Sequence, residues 1–216
     1  IWSDLCIFSF HPVKIITSAE GGCVTTNNKK FYERMLLYRN NGIEKNKRQF
    51  IKKNTGPWYY EQQSIGYNFR LNDIQAALGI SQLKKINLFL KKRNKIAKFY
   101  KDNLKSLPLN FQLVGKNFYS SYHLFIIQIN KNFKKYYKNL FLFLRKNNLL
   151  VNLHYLPVHL HPFYRRKGFK KKSFPISEQY SETSISIPIY PNLSLKNQIK
   201  VIKLVKLFFK KHEQKK

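Results

Sequence analysis

Acidic residues are scarce in this chain. Among its 216 residues, 10 are Asp or Glu and 41 are Lys or Arg, so the formal net charge is +31. This excess invites a nucleic-acid-binding interpretation, but Lys outnumbers Arg 33 to 8. Lys, Asn, Ile, Phe and Tyr, the residues that A- and T-rich codons encode, together number 106. A selected phosphate-binding face would favour clustered arginines, so we attribute the charge to a compositional drift that raises Lys across the surface.

Cysteines and long apolar runs are also rare. The two cysteines, Cys6 and Cys23, form neither a disulfide framework nor a metal site of recognised spacing, which fits a reducing cytoplasmic location. No apolar run approaches the ~20 residues of a membrane-spanning helix, and no signal peptide opens the sequence, so we expect no membrane association. The chain opens without methionine in an apolar, strand-like run, and we therefore expect that the beginning of the protein is absent.

The residues that are present favour a folded α/β protein. With 43% hydrophobic and 16% aromatic residues, the chain can bury a core. A domain boundary is expected near residues 90–105, which gives an incomplete large domain over 1–95 and a small α+β domain over 96–216. The expected elements are a buried strand over 5–10, a strand over 23–26, a helix over 29–40, a polar irregular loop over 43–66, one long helix over 72–104, strands over 122–129 and 185–191, a strand that runs into a proline turn over 149–159, and helices over 133–146 and 194–212.

Lys14 is the strongest local candidate for chemistry. It follows a predicted strand and Pro12 among apolar residues, whereas the other 32 lysines lie in polar or amphipathic stretches. Partial burial of an ammonium group lowers its pKa and makes a lysine a nucleophile for carbonyl groups. Ser9, five residues earlier, is placed to direct its hydroxyl to an anion beside the same loop. From the residues alone, a surface lysine with a partly covered side chain is the competing interpretation.

Several segments resemble one protein family. The run FSFHPVKIITSAEGG is similar to the lysine-bearing segment of the DegT/StrS family of sugar-nucleotide aminotransferases, and the similarity continues in order through RNNGI, GYNFRLNDIQAALGISQLKK, VNLHYLPVHLHPFYRRKGF and SISIPIYPNLS. The resemblance implies the C-terminal part of a pyridoxal-phosphate-dependent transferase fold (fold type I), with the end of the large domain followed by a small α+β domain. Within the family, the chain most resembles members that transfer an amino group, with glutamate as the expected donor, to C4 of UDP-linked 4-keto-6-deoxy amino sugars in pseudaminic acid synthesis.

The resemblance also implies roles for three residues. Lys14 matches the lysine that holds pyridoxal 5'-phosphate covalently and then acts as the base that moves a proton. Ser9 matches a hydroxyl donor to the cofactor phosphate. Asn68 matches an asparagine that reaches the cofactor phosphate of the neighbouring subunit, which implies a homodimer. From the residues alone, Asn68 is also typical of a turn before a helix.

Other polar residues support weaker expectations. His154, Tyr155 and His159 fall in the segment that lines the sugar-nucleotide pocket in relatives, although polar residues at a strand end are an alternative interpretation. We expect no metal site at the histidines, because prolines interrupt the run that ends at His161 and no cysteine pair accompanies it. The basic run RRKGFKKK over 165–172 is compatible with contact to a diphosphate, and a solvated loop is the simpler interpretation.

Part of the cofactor site implied by the resemblance has no counterpart in this sequence. In this fold, the acidic partner of the pyridine nitrogen, the aromatic ring on the cofactor face and the phosphate-binding loop all precede the lysine. Only 13 residues precede Lys14, and Asp4 is too close to it for the acidic role. A second hypothesis is therefore a non-catalytic fragment or one half of a split enzyme. A basic nucleic-acid-binding module is a third, supported only by net charge.

Overall fold

The computed structural model describes residues 3–53 and 55–213, with the backbone alone for the last of these. The chain divides into two compact units, of which the first runs to Ile86 and the second begins at Asn87. The architecture is mixed α/β, as the sequence predicts. The boundary expected at residue 95 falls inside a helix of the second unit, and the domain assignment made from the sequence stays a prediction.

The first unit contains two small antiparallel hairpins and two helices. Helices α1 and α2 each begin after an asparagine cap: the Asn28 side chain accepts from two backbone N–H groups, and Asn72 forms a capping box with Gln75. The elements of this unit are β1 (Cys6–Ser9), β2 (Gly22–Thr25), α1 (Lys29–Arg39), β3 (Ile43–Glu44), β4 (Glu61–Gln62) and α2 (Asp73–Leu83).

The strand that was predicted to be buried is exposed, so this prediction is wrong. Every residue of β1 and β2 is exposed, and Ile7 exposes 78% of its surface. An apolar sequence favours burial, but a strand is buried only if a second layer of the structure covers it. A two-stranded hairpin supplies no such layer of its own. The apolar side chains of β1 therefore lie at the surface of the first unit.

The segment between α1 and α2, predicted as an irregular loop, contains the β3–β4 hairpin and is organised around one carboxylate. The backbone N–H groups of Ile51 and Lys52 each donate to Glu61 at 2.8 Å, and Gln63 and Tyr59 donate from their side chains. Desolvation raises the pKa of Glu61, but these hydrogen bonds outweigh it and lower the pKa to about 2. Four donors to one carboxylate thus give a defined course to a polar segment.

The single long helix predicted over 72–104 is two helices. Helix α2 ends at Leu83 and a new helix begins at Ile86. At the break, the N–H of Lys85 donates to the carbonyl of Gln82, which is the tighter turn of a 3-10 helix. The apolar spacing continues across this point, so the periodicity of the sequence contained no sign of the break. The two helices belong to different units.

The second unit is a three-stranded antiparallel sheet with helices. Three short elements were not predicted: the strand Leu109–Phe111 and the helices Pro162–Arg166 and Pro175–Ser181. The segment predicted as a strand over 149–159 forms one bridge, from Asn152 to Ser186, and a 3-10 helix begins at Val158. None of the described helices has the length and apolar character needed to cross a membrane. In sheet order the strands are β5 (Leu109–Phe111), β6 (Phe125–Ile129) and β7 (Ser184–Ile187), and the helices are α3 (Ile86–Leu104), α4 (Tyr137–Lys146), α5 (Pro162–Arg166), α6 (Pro175–Ser181) and α7 (Leu195–Glu213).

The hydrophobic core lies in the second unit. Strand β6 alternates buried and partly exposed residues, which places one face of the sheet against the helices. Helices α3, α4 and α7 contribute buried side chains to the same cluster, which extends from Ile96 to Phe209 along the sequence. On α7 these residues recur at three- and four-residue spacing, as expected for a helix with one buried face.

A buried arginine ties α3 to two loops of the second unit. Only 5% of Arg93 is exposed, and its Nη1 donates to the carbonyl oxygens of Tyr122, His123 and Ile189 at 3.0 to 3.2 Å. Burial lowers the pKa of the guanidinium group. Because three carbonyls share one donor group, the loops before β6 and after β7 are fixed against the same helix. Spacing along the sequence did not single out this residue.

Candidate active site

Lys14 lies in the loop that connects β1 to β2. Backbone hydrogen bonds define the course of this loop: Lys14 N–H donates to His11 at 2.9 Å, Phe10 N–H donates to Gly21 at 2.9 Å, and Ser18 N–H donates to Phe10 at 3.0 Å. Lys14 itself is half-buried. A lysine is therefore held on an ordered loop directly after the end of a strand, as the sequence predicts.

Two hydroxyl groups, of Thr17 and Ser18, form hydrogen bonds to the backbone in the second half of this loop. Thr17 Oγ1 donates to the carbonyl of Phe10 at 2.9 Å and accepts from the N–H of Ala19 at 3.0 Å. Ser18 is fully buried, and its Oγ donates to the carbonyl of Glu20 at 2.8 Å. Neither hydroxyl was singled out from the sequence. The adjacent Thr and Ser were the available signal, because short hydroxyl side chains commonly bond to nearby backbone groups in turns.

Ser9 ends β1 opposite Gly22. Its Oγ accepts a long hydrogen bond of 3.4 Å from the N–H of His11, and no described residue accepts the proton of this hydroxyl. A Cβ on Gly22 would lie 2.6 Å from the carbonyl oxygen of Phe8, so glycine permits the close pairing of the two strands. The Ser9 hydroxyl can therefore donate a hydrogen bond to an anion bound beside the loop of Lys14.

Asn68 is fixed through its backbone rather than its side chain. It forms a bridge with Asn40, flanked by hydrogen bonds from Asn41 N–H to Tyr67 and from Phe69 N–H to the end of α1. The rings of Tyr67 and Phe69 stack with their centroids 4.7 Å apart. Neighbouring side chains alternate in extended backbone, so Asn68 projects away from this stack. Its side chain is exposed and bonds to no described residue.

Two glycines allow the bridge at Asn68. Gly42 has a φ of 72°, and a Cβ there would overlap the carbonyl oxygen of Ser64. A Cβ on Gly66 would overlap the backbone nitrogen of Gly42. The backbone of the turn after α1 and the backbone of the segment before Asn68 therefore contact each other directly, and no side chain fits between them.

Substitution of Gly42 by alanine is expected to loosen the bridge at Asn68. The left-handed backbone alone costs about 1–2 kcal/mol for a residue with a Cβ, and the overlap with Ser64 adds to this. Hydrogen exchange at the N–H of Phe69 should become faster. Gly168→Ala is the matched control, because Gly168 also has a positive φ of 97° but nothing lies within 4 Å of its Cβ position. Unchanged protection at Phe69 in Gly42→Ala would contradict the argument.

Helix α2 packs on the lysine loop within the first unit. A Cβ on Gly21 would lie 2.7 Å from Cδ1 of Leu71, and a Cβ on Gly79 would lie 3.5 Å from Cβ of Ser18. Leu71 follows Asn68 by three residues. The structure therefore brings the segment after Asn68 against the turn that completes the loop of Lys14, a contact between residues 50 positions apart that local patterns do not reveal.

The three candidate substrate-binding residues of the second unit have different surroundings. Nδ1 of His154 lies 2.8 Å from Oγ of Ser186 on β7, and burial lowers the pKa of this imidazole. Tyr155 is 71% exposed, whereas His159 is buried. No group of three His, Cys, Asp or Glu side chains within residues 3–53 and 55–213 is placed to hold a metal ion. Substrate binding by these three residues stays a prediction, and Tyr155 is the one whose side chain is freely accessible.

His159 forms a buried pair that the sequence did not indicate. Its Nε2 lies 2.8 Å from Oε1 of Glu178, and the side chains are 7% and 8% exposed. The N–H of Lys172 also donates to this oxygen, at 2.7 Å, and the ring of Phe174 packs on the imidazole. The hydrogen bond from His159 lowers the pKa of Glu178. This pair joins the segment around His159 to α6.

The Glu178 carboxylate is expected to make the second unit less stable in acid. The pKa of Glu178 is lower in the folded state than in the unfolded state. Its contribution to the free energy of unfolding is therefore complete above the pKa of the unfolded state, and it is lost as the pH falls through the pKa of the folded state. Denaturant unfolding between about pH 3 and pH 6 measures the effect. Glu178→Gln should flatten this part of the profile more than Glu182→Gln, which removes a carboxylate that is 42% exposed and pairs with Lys134. Equal profiles for Glu178→Gln and the parent chain would contradict the prediction.

Comparison with solved structures gives the class of protein. Helicobacter pylori PseC, an aminotransferase of pseudaminic acid biosynthesis, superposes with a TM-score of 0.86 at 33% identity, over 97% of this chain and 54% of that one. A protein described as a sugar aminotransferase, Spr1654 of Streptococcus pneumoniae in its PLP-form, superposes with a TM-score of 0.85 at 25% identity, over 97% and 52%. The fold is part of that of the pyridoxal-phosphate-dependent aminotransferases, which confirms the predicted fold class.

The sequence then gives the family. Residues 2–206 match the DegT/DnrJ/EryC1/StrS aminotransferase family, and the chain belongs to it. The UDP-4-amino-4,6-dideoxy-N-acetyl-beta-L-altrosamine transaminase of Helicobacter pylori is 37% identical over 195 residues, which cover 88% of this chain and 48% of that protein. The chain thus spans about half the length of the relatives it matches.

Proposed function

We propose that this chain carries the cofactor lysine of a pyridoxal-phosphate-dependent transaminase that aminates C4 of a UDP-linked 4-keto-6-deoxy amino sugar, with glutamate as donor. The observation that carries the proposal is the hydrogen-bonded loop of Lys14, which begins after Ser9, a residue whose hydroxyl proton no described residue accepts, in a chain of this aminotransferase family. The narrower choice of sugar is supported by the 37% identity to the altrosamine transaminase.

The residues of the first unit fit a phosphorylated carbonyl cofactor. Pyridoxal phosphate supplies an electron-withdrawing ring that stabilises negative charge at the α-carbon of an amino acid. Nζ of Lys14 would hold the cofactor through its carbonyl carbon, with loss of water, and as a free neutral amine it would take the proton from Cα of the amino donor. The Ser9 hydroxyl would donate a hydrogen bond to the cofactor phosphate. Partial burial of Lys14 on a fixed loop limits the positions that its amine must search.

The exposed side chain of Asn68 supports a dimeric site. Its backbone is fixed by the end of α1, and its amide bonds to no described residue of its own chain. An amide held in this way can donate to a phosphate oxygen bound by a second subunit. The active enzyme is accordingly a homodimer in which each chain contributes Asn68 to its neighbour's cofactor.

The uncovered apolar surface of the first unit favours an alternative, in which this chain acts only together with further polypeptide. Strands β1 and β2 and helix α2 bury no residue, although their sequences are apolar. In that case the acidic and aromatic cofactor contacts of the fold come from the additional polypeptide. Cofactor capture by the 216-residue chain alone would then be weak, and addition of that polypeptide would restore it.

Site-specific trapping of the cofactor tests the proposal. The chain is incubated with pyridoxal phosphate, the link to lysine is made permanent by borohydride reduction, and peptide mass spectrometry locates the label. We expect the label at Lys14 in excess over each of the other 32 lysines. If exposed lysines, for example those of α7, were labelled to the same extent as Lys14, Lys14 would not be the cofactor lysine. Formation of 2-oxoglutarate from glutamate with the UDP-linked keto sugar tests the substrate.

A further inference from the structure

One hydrogen bond of the second unit decides which ring nitrogen of His154 carries a proton. Nδ1 of His154 lies 2.8 Å from Oγ of Ser186 on β7. Ser186 is 7% exposed, so its hydroxyl is shielded from water. His154 is half-buried and belongs to the segment that the family resemblance associates with the sugar-nucleotide pocket. A shielded serine therefore contacts a candidate ligand-binding histidine directly.

The backbone holds these two side chains in place. The N–H of Ser186 donates to the carbonyl of Asn152 at 2.8 Å, and the N–H of Asn152 donates back to Ser186 at 3.2 Å. On its other side, Ser186 pairs with Ile126 of β6. Oδ1 of Asn152 accepts from the N–H of Leu153, which restricts the backbone immediately before His154. The contact between His154 and Ser186 thus rests on a fixed bridge between two segments.

The direction of this hydrogen bond follows from the partners of the hydroxyl group. A serine hydroxyl has one proton to donate, and a shielded hydroxyl normally finds an acceptor. Among the described residues, Nδ1 of His154 is the sole hydrogen-bond partner of Ser186 Oγ. Ser186 therefore donates to Nδ1, which must carry a lone pair. In a neutral imidazole one nitrogen accepts and the other carries the hydrogen, so the hydrogen of His154 is on Nε2.

The surroundings keep the imidazole of His154 neutral. Burial lowers the pKa of this ring below its ordinary value, so the ring is uncharged at neutral pH. The ion pairs within residues 3–53 and 55–213 do not include His154, so no carboxylate among them favours its charged form. The ring of Tyr155 packs edge-on against the imidazole, with the ring centres 4.7 Å apart. Since Nε2 bonds to no described residue, its N–H can donate to a ligand.

We propose that Ser186 is a positioning residue that holds His154 as a neutral donor, and that Nε2–H of His154 donates to a carbonyl or hydroxyl oxygen of the substrate sugar. The substrate part of this inference rests on the proposed function. A ring nitrogen that carries a hydrogen has no lone pair to accept a proton. His154 therefore binds the sugar through Nε2 and does not act as a base at this atom.

Nitrogen-15 NMR spectra of the histidine rings test the positioning role, because they distinguish a ring nitrogen that carries hydrogen from one that does not. The full chain is measured without cofactor or substrate at about pH 8, above the ordinary pKa of histidine. We expect hydrogen on Nε2 of His154, whose signals are assigned through their loss in His154→Gln. Ser186→Ala removes the donor to Nδ1 and should change the ratio of the two tautomers by at least about fivefold, the factor for one lost hydrogen bond.

Two further variants separate the hydroxyl group from packing. Ser186→Thr keeps the hydroxyl and should retain the tautomer ratio of the parent chain. Ser177→Ala removes an exposed hydroxyl of α6 and should leave the ratio unchanged. Hydrogen on Nδ1 in the parent chain, or an unchanged ratio in Ser186→Ala, would overturn the positioning role. A Ser186→Thr variant that behaves as Ser186→Ala, with the circular dichroism spectrum of the parent chain, would overturn it too.

Calorimetry with the UDP-linked keto sugar tests the donor role of Nε2–H. His154→Phe keeps a flat ring but has no donor, and it should weaken binding by about fivefold. The matched control, His161→Phe, removes an exposed imidazole and should bind as the parent chain does. Equal affinity in His154→Phe and the parent chain, or no binding by the parent chain, would overturn the donor role. Labelling of Lys14 is measured without the sugar, so its failure would count against the proposed function and not against the tautomer of His154.

Discussion

Replacement of Lys14 by alanine is expected to abolish the specific labelling by pyridoxal phosphate and to reduce amino transfer by about 10²–10⁴-fold, the range typical of a lost general base. Lys14 is half-buried on a loop fixed by hydrogen bonds to His11, Phe10 and Gly21. Within residues 3–53 and 55–213, no other lysine lies on a hydrogen-bonded loop after a strand and close in sequence to a hydroxyl whose proton has no acceptor, as at Ser9. Exposed lysines should react slowly and without preference.

Lys30→Ala provides the matched control for Lys14→Ala. Lys30 is an exposed residue of α1 in the same unit, so its removal deletes one amine without touching the lysine loop. Labelling and turnover in Lys30→Ala should equal those of the parent chain. If Lys14→Ala retained full labelling and turnover, Lys14 would not be the cofactor lysine.

A chain that begins at Asn87 is expected to unfold cooperatively, with a transition close to that of the second unit in the full chain. The cluster of buried apolar residues lies within this part of the sequence. Within it, Phe209→Ala should lower the free energy of unfolding by about 3–5 kcal/mol, because Phe209 is fully buried and its ring packs edge-on against Phe208. Leu207→Ala, at a partly exposed position of the same helix, should change it by less than about 1 kcal/mol.

Denaturant titrations followed by circular dichroism measure these differences. A chain that ends at Ile86 is expected to show no cooperative transition under the same conditions, since α1 and α2 contain no buried residue and β1 and β2 are exposed throughout. Elements that bury little apolar surface cannot offset the entropy lost on ordering. A sharp transition in the first unit alone, or none in the chain that begins at Asn87, would refute this division of stability.

The local features of the fold could be predicted from the sequence. Asn28 and Asn72 cap helices because a short polar side chain reaches N–H groups two or three residues away, and this depends on neighbouring residues alone. Ordered motifs also indicated the family and the fold class, both confirmed by the comparisons. The placement of Lys14 after a strand belongs to the same kind of information, whereas its role stays a prediction.

Features that depend on distant residues could not be predicted. The apolar pattern of β1 indicated burial, but no pattern within a strand tells whether another layer covers it. The break between α2 and α3 went unnoticed because the apolar spacing continues across it. Glu178 was missed since its partner, His159, lies 19 residues earlier, and Arg93 bonds to carbonyls up to 96 residues away.

By itself, then, the sequence determined the class of fold, the family, the starts of α1 and α2 and the segment that bears Lys14, because each depends on residues that are adjacent in sequence. Only the tertiary structure decided which apolar faces are covered, where the two units divide, and which buried groups hold the loops. The tertiary structure also distinguishes among the positively charged residues. Most lysines line exposed surfaces as drift predicts, whereas Arg165 and Arg166 lie on a segment anchored through Glu178, a contact that exists only once the chain has folded.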